Sequence, residues 1–199
     1  MGYLNGAEKN SAAFDEDGYL RSGDVGAADP AGVVSVVARI KELLVTAGGE
    51  NVAPAPVEDA IKAELPCVAH AVAVGDRRKF VSALLTLKTD AEPETGAPTP
   101  FLTKAALEWC TAALVAAGNN GEPPRTAAEA AANPSVAAAL QAGVDRANDA
   151  AVSNAAKVKK WILLPSELSL QGGELGPTMK VKRHVVLAKY AELVDKMYA

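Results

Sequence analysis

A small α+β fold is predicted for this chain by three features of its sequence. Three short apolar runs, CVAHAVAV at 67–74, FVSALLTLK at 80–88 and VKKWILL at 158–164, have the length and composition of strands. Segments of helical character stand before, between and after them. The chain is 49% hydrophobic and 22% charged, a balance that builds a packed core. Much of the hydrophobic share is alanine, which favours helix but buries little area. Aromatics make up 5%, so an aliphatic and modest core is expected. A length of 199 residues suits one domain, or a small one with an appendage.

The elements follow in order. Residues 1–31 are rich in Gly, Asp and Asn and read as loops, with a short helix at 8–14. GVVSVV at 32–37 is β-branched and reads as a strand, and Leu43, Leu44 and Val45 form a further apolar run. Gly48 and Gly49 supply a turn. Pro56 opens a helix over PVEDAIKAEL, with Glu58 and Asp59 in its first turn, where carboxylates suit the helix dipole. GDRRK at 75–79 reads as a hairpin loop, and residues 89–100, with three prolines, as an exposed linker. A helix is expected near 103–117, a loop at 118–126 and an alanine-rich helix at 134–151. The alanine runs at 127–140 read as surface helix or partial disorder. A Gly-rich loop covers 169–179. The last helix, about 184–198, carries Val186, Tyr190, Leu193, Val194 and Met197 at helical spacing.

Charge and cysteine usage exclude some functions. The net charge is −4 and the sequence pI about 5.3, against the basic face of a general nucleic-acid binder. The local exception is Lys180, Lys182, Arg183 and His184. Cys67 and Cys110 lack metal or disulfide spacing and are expected to be buried, reduced thiols, as in an intracellular protein. No apolar run approaches the roughly 20 residues needed to span a bilayer. MGYLNGAEKN does not read as a signal peptide.

Three segments carry candidate chemistry. YLRSGDVG at 19–26 places Asp24 at the end of a Gly-Asp turn, where a carboxylate can accept two hydrogen bonds from vicinal hydroxyls. ARIKELLVTAGGENVAP at 38–54 brings Arg39 just after a strand, with Lys41 and the glycine pair downstream. Arg forks two hydrogen bonds to phosphate or ribose oxygens, and glycine allows close approach of a ligand. GGELGPTMKVKR at 172–183 delivers Lys180 from a Gly-rich loop, as a point charge able to neutralise a phosphoryl or carboxylate oxygen. Each alone also reads as a simple turn, a surface salt bridge or a solvated basic helix start.

In this order and spacing the three segments resemble the adenylate-forming superfamily of acyl-CoA synthetases, luciferases and peptide-synthetase adenylation domains. AGGENVAPAPVED, LPCVAHAVAVGDRRKFVSALLTLK and GGELGPTMKVKR are similar to the bubblegum-type long-chain acyl-CoA synthetases. The resemblance runs from Gly2 to about Tyr198 and thins across 91–155. It implies a small C-terminal lid domain at 41–199, with a roughly three-stranded sheet flanked by helices and a helical, Ala-rich insert at about 91–155. Residues 1–40 would be the end of the large adenylation domain's final β-rich subdomain.

The implied reaction joins a long-chain fatty acid to coenzyme A at the expense of ATP, through an acyl-adenylate. By position Asp24 and Arg39 would bind the ribose of ATP or AMP. Lys41 would be the hinge, Gly48 and Gly49 would face the pantetheine of CoA, and Lys180 would be the adenylation lysine. ATP, CoA and Mg2+ are the implied cofactors, with the Mg2+ ligands on the large domain and no metal ligand among these residues. That large domain is the implied partner, with no nucleic acid. A cytoplasmic location is implied, with peripheral contact at the endoplasmic reticulum or another membrane. No Ser/Thr/Gly-rich phosphate loop ending in Lys, no aromatic-Thr-Glu motif and no acyl tunnel is found, so this chain alone is expected to be inactive. Ala38 departs from the family's usual Gly before the Arg. The alternatives are a non-catalytic interaction or regulatory module with the same fold, or a nucleotide- or acidic-surface binder using residues 180–184.

Overall fold

In the computed structural model, residues 6–199 are described. The start of the resemblance at Gly2 and the first five residues of the 1–40 segment lie outside them. The chain forms two compact units, Met1–Leu43 and Leu44–Ala199.

The first unit is small and open. Helix α1 (Ala7–Ala13) leads to a bridge between Phe14 and Leu20 and then to an antiparallel ribbon of β1 (Asp24–Ala28) and β2 (Val34–Arg39). A 3-10 turn, Ile40–Glu42, ends it. No described residue of this unit is fully buried. Val34 and Val36 are 70% and 71% exposed, and Val33 and Ile40 are also on the surface. A two-stranded ribbon has too little partner surface to cover β-branched side chains on both of its faces.

The second unit holds the core. It begins with a hairpin of β3 (Leu44–Val45) and β4 (Asn51–Val52). Helix α2 (Pro54–Glu64), β5 (Val68–Val74) and β6 (Val81–Leu87) follow. A second hairpin pairs β7 (Thr89–Ala91) with β8 (Pro98–Leu102). Three helices come next: α3 (Lys104–Ala116), α4 (Ala127–Ala131) and α5 (Pro134–Asp149). Strand β9 (Val158–Leu163) precedes α6 (Arg183–Lys189) and α7 (Ala191–Tyr198).

The main sheet has the order β5-β6-β9, with β5 antiparallel and β9 parallel to β6. The parallel step is possible because the helices of the insert carry the chain back across the sheet. All of β6 is buried, since both faces of the sheet are covered. Ala71, Ala73, Ala83 and Leu85 face one core, shared with α2, α3 and α5. Val72, Val74 and Leu84 face a second core, shared with Val186, Val194 and Met197 of the last two helices. These are the expected α+β architecture and three-stranded sheet.

Four local expectations are corrected. Residues 89–100 are largely a hairpin rather than a linker, with Thr89 opposite Leu102 and Ala91 opposite Pro98. Proline is tolerated there because each strand of a two-stranded ribbon needs hydrogen bonds on one side only. The alanine runs are ordered and partly inside. Thr126 and Glu129 close a capping box on α4, Asn133 caps α5, and Ala127, Ala130, Val136 and Leu140 are each no more than 1% exposed. Small side chains allow this close approach: a Cβ on Gly143 would collide with the buried Leu65. Helix α2 starts at Pro54, not Pro56, so Glu58 and Asp59 leave the first turn. The last helix breaks at Tyr190, yet its apolar face still buries Val186, Val194 and Met197. Trp161 is only partly buried, whereas Leu164 is fully so. Both thiols are buried and free, and burial pushes Cys67 up to about 12 and Cys110 up to about 11.

Candidate functional site

In the first unit the ribbon register sets Asp24 opposite Arg39. Arg39 Nε lies 3.1 Å from Asp24 Oδ1, and the guanidinium side chain is 66% exposed. Ser22 Oγ accepts the Asp24 N–H at 3.1 Å, and Ile40 N–H reaches Gly23 O at 2.8 Å. These bonds hold the Gly-Asp turn against the end of β2. Beside it is a cleft of about 750 Å³, lined by Arg21, Ser22, Gly23, Arg39, Lys41 and Glu42, among others. Asp24, Arg39 and Lys41 are thus grouped by local backbone geometry. Lys41 sits in the 3-10 turn with an exposed side chain.

Gly48 and Gly49 form the tip of the β3-β4 hairpin. Gly49 has φ +81° and donates its N–H to Thr46 O at 2.9 Å. A side chain is strained in this left-handed conformation, so glycine belongs here. Thr46, 7% exposed, anchors the turn: its hydroxyl accepts the Glu50 N–H at 3.2 Å. The loop after β5 anchors the hairpin, with Arg77 N–H to Val45 O at 2.7 Å and Ala47 N–H to Arg78 O at 2.8 Å. The glycine tip therefore projects from a fixed base.

Lys180 lies on a tight turn between bridged Leu175 and Val181. Gly176 N–H bonds Lys180 O at 2.8 Å, Met179 takes φ +59°, and Lys182 N–H bonds Glu174 O at 2.7 Å. The lysine is exposed and enters no ion pair among the described residues. Under the turn is Glu174, 2% exposed, whose carboxylate accepts from Lys189 Nζ and from Ser169 N–H. A buried carboxylate is costly unless paired and hydrogen-bonded, so this pair orders the loop. Sequence reasoning missed Glu174, and nothing in a lone Glu after two glycines announces burial.

The basic cluster is divided by the fold. Arg183 turns inward, with Nη1 2.7 Å from Glu58 Oε1 and 2.7 Å from Ala73 O. Glu58 Oε1 also accepts Ala73 N–H at 2.7 Å. This triad ties α6 to α2 and β5. Lys180, Lys182 and His184 stay exposed. Among the described residues no group of three His, Cys, Asp or Glu is placed to hold a metal ion, and no helix is long and apolar enough to cross a membrane.

The loop carries its own pH signature. Burial pushes the Glu174 carboxyl up, but the Lys189 and Ser169 hydrogen bonds outweigh it and hold it below its ordinary 4.5. The same bond raises Lys189 above its ordinary 10.5. The Glu174 contribution is complete above its unfolded value and is lost as pH falls through the lower folded value. The Lys189 contribution is complete below 10.5 and is lost as pH rises through the raised value. Amide exchange across 169–182 should therefore show steady protection at neutral pH and a drop in acid, as the pH falls below the ordinary 4.5 and through the lowered folded value. Glu174→Gln should remove that acid step; an unchanged step would place its origin elsewhere.

Residues 41–106 match the AMP-binding enzyme C-terminal domain family. A long-chain-fatty-acid–CoA ligase of Gallus gallus is 48% identical over 199 residues, covering 100% of this chain and 25% of that protein. Another, from Mus musculus, is 44% identical over 198 residues, covering 100% of this chain and 27% of that protein. The chain thus spans about a quarter of the length of these curated relatives. Among solved structures, the adenylation domain of the carboxylate reductase from Mycobacterium chelonae matches 99% of this chain and 26% of its own, at TM-score 0.68 and 22% identity. The A-PCP didomain of the carboxylic acid reductase from Segniliparus rugosus, in complex with AMP, matches 100% of this chain and 23% of its own, at TM-score 0.66 and 24% identity. These likenesses show the fold.

Proposed function

We propose that the chain is the hinge and lid of a long-chain fatty-acid–CoA ligase of the adenylate-forming superfamily, a reading supported by the match of residues 41–106 to the AMP-binding enzyme C-terminal domain family and by the identity of 48% and 44% to two long-chain-fatty-acid–CoA ligases. The observation that carries this reading is Lys180: an unpaired, exposed ammonium on a turn that is held from beneath by buried Glu174.

In the first half-reaction the fatty-acid carboxylate attacks the α-phosphate of ATP and pyrophosphate leaves. Negative charge concentrates on the reacting oxygens, and the Lys180 ammonium stabilises it. Asp24 accepts from the ribose hydroxyls, and Arg39, already beside Asp24, donates to the same sugar. In the second half-reaction the CoA thiolate attacks the acyl carbonyl and AMP leaves. The Gly48-Gly49 tip lies against the pantetheine, where a side chain would obstruct it. Lys180 and the glycine tip are carried on separate loops, so a rotation about Lys41 exchanges them at one active centre. Mg2+, when bound, would neutralise charge at the phosphates, held by residues of the large domain and by none of the residues named here. Val34, Val36 and Val37 of β2, all exposed, support that domain as the partner, since clustered apolar side chains on a surface mark an interface. The site of action is the cytoplasm, with peripheral contact at a membrane.

Pyrophosphate exchange tests this division of labour. The purified chain with MgATP and a long-chain fatty acid should give no exchange above background. Exchange should appear when the chain is joined to the large domain of such a ligase. Exchange by the chain alone would overturn the assignment as hinge and lid.

A further inference from the structure

Strand β9 is paired on one side only. Leu164 N–H bonds Leu85 O at 2.8 Å, on the β6 side. Successive residues of a parallel strand turn their N–H and C=O to opposite sides, so Trp161 and Leu163 point theirs to the open edge. The first outward position is already filled. Asn148 accepts Val158 N–H at 2.8 Å and donates to Val158 O at 2.9 Å, as a neighbouring strand would. Trp161 and Leu163 have no such partner among the described residues.

A groove of about 400 Å³ opens along the 159–162 part of β9, between Gln141 of α5 and Lys196 and Met197 of α7. Trp161 lies in it, fixed by its indole N–H donating to Gln141 Oε1 at 2.8 Å. Lys159, Lys160 and Lys196 line it, and no carboxylate does. Asp145 is close by, bonded to Gln141 at 2.8 Å, and the chain as a whole carries −4. Lysines on a free edge repel a like edge, which disfavours a second copy of this chain. The same charges attract a strand that carries carboxylates.

We propose that the β9 edge receives an extended acidic segment of a partner protein, which adds as a fourth strand with its backbone on Trp161 and Leu163 and its carboxylates on the three lysines. Strand addition uses main-chain hydrogen bonds for affinity and side-chain placement for specificity. A lipid surface would meet the lysines but leave the two backbone rungs without partners. This surface is independent of the ligase assignment.

The test uses the full chain, isotopically labelled, titrated with an end-capped peptide of alternating Glu and Val. Amide exchange at Trp161 and Leu163 should slow, with the β6 amides unchanged. Lys159→Glu combined with Lys196→Glu should weaken binding roughly tenfold at low salt, from the loss of two exposed ion pairs. Both side chains are on the surface, so an unchanged exchange pattern in β6 verifies folding. A peptide N-methylated at alternate positions should not bind. Three results overturn the proposal: no slowing at Trp161 and Leu163, equal binding of an alternating Lys and Val peptide, or lysine-dependent binding to phosphatidylserine vesicles without peptide binding.

Discussion

Lys180→Ala in the complete ligase should lower acyl-adenylate formation by about 10²–10³-fold and leave thioester formation from supplied acyl-adenylate nearly unchanged. The magnitude follows from removing one fixed charge from a transition state that concentrates negative charge on phosphoryl and carboxylate oxygens. The asymmetry follows from where the lysine is carried. Lys180 projects from the loop over Glu174, whereas the glycine tip assigned to the CoA step projects from the β3-β4 hairpin. Structural damage does not account for a selective loss, because the Lys180 side chain is exposed and the turn is held by backbone bonds. Separate assays of pyrophosphate exchange and of acyl-CoA release from acyl-adenylate read the two steps. Equal loss of both would sink the role given to Lys180.

Arg183→Met should destabilise the chain by roughly 3 kcal/mol in urea unfolding, although Arg183 belongs to the basic cluster that sequence alone presents as a surface. The Arg183 side chain is 23% and that of Glu58 16% exposed, and their 2.7 Å contact joins α6 to α2. Removing the guanidinium leaves a mostly buried carboxylate without its countercharge. Methionine keeps much of the volume, so the loss reports charge rather than a cavity. Adding Glu58→Gln should recover a good part of it, since the amide oxygen can still accept Ala73 N–H and the uncompensated charge is gone. Strictly additive losses would mean that the two residues act independently.

The main sheet was legible because its strands are nearly continuous apolar runs, and the candidate residues were legible as spaced motifs. Residues 89–100 were misread because their prolines argue against strands, a rule that fails in a two-stranded ribbon whose outer side needs no donor. The alanine runs were only partly legible, because alanine is equally at home inside or outside: Ala128, Ala131, Ala132 and Ala138 are exposed, whereas Ala127 and Ala130 are buried. Only packing against the neighbouring elements decides which: Ala127 and Ala130 join the larger core cluster. Glu58 shows the same limit: its sequence position suggested a helix-dipole role, while the fold gave it Ala73 and Arg183 as partners.

What the sequence determines by itself is the α+β class, the three strands of the main sheet and the order of the site motifs, because each is written in local periodicity, turn residues and spacing. What the tertiary structure alone decides is which charges face water. Lys180 remains free, Arg183 is drawn inward, and Glu174 is buried beneath the loop with Lys189. Each of these depends on a partner distant in sequence or on packing around it, and a carboxylate or guanidinium carries no local mark of the burial that gives it a structural role.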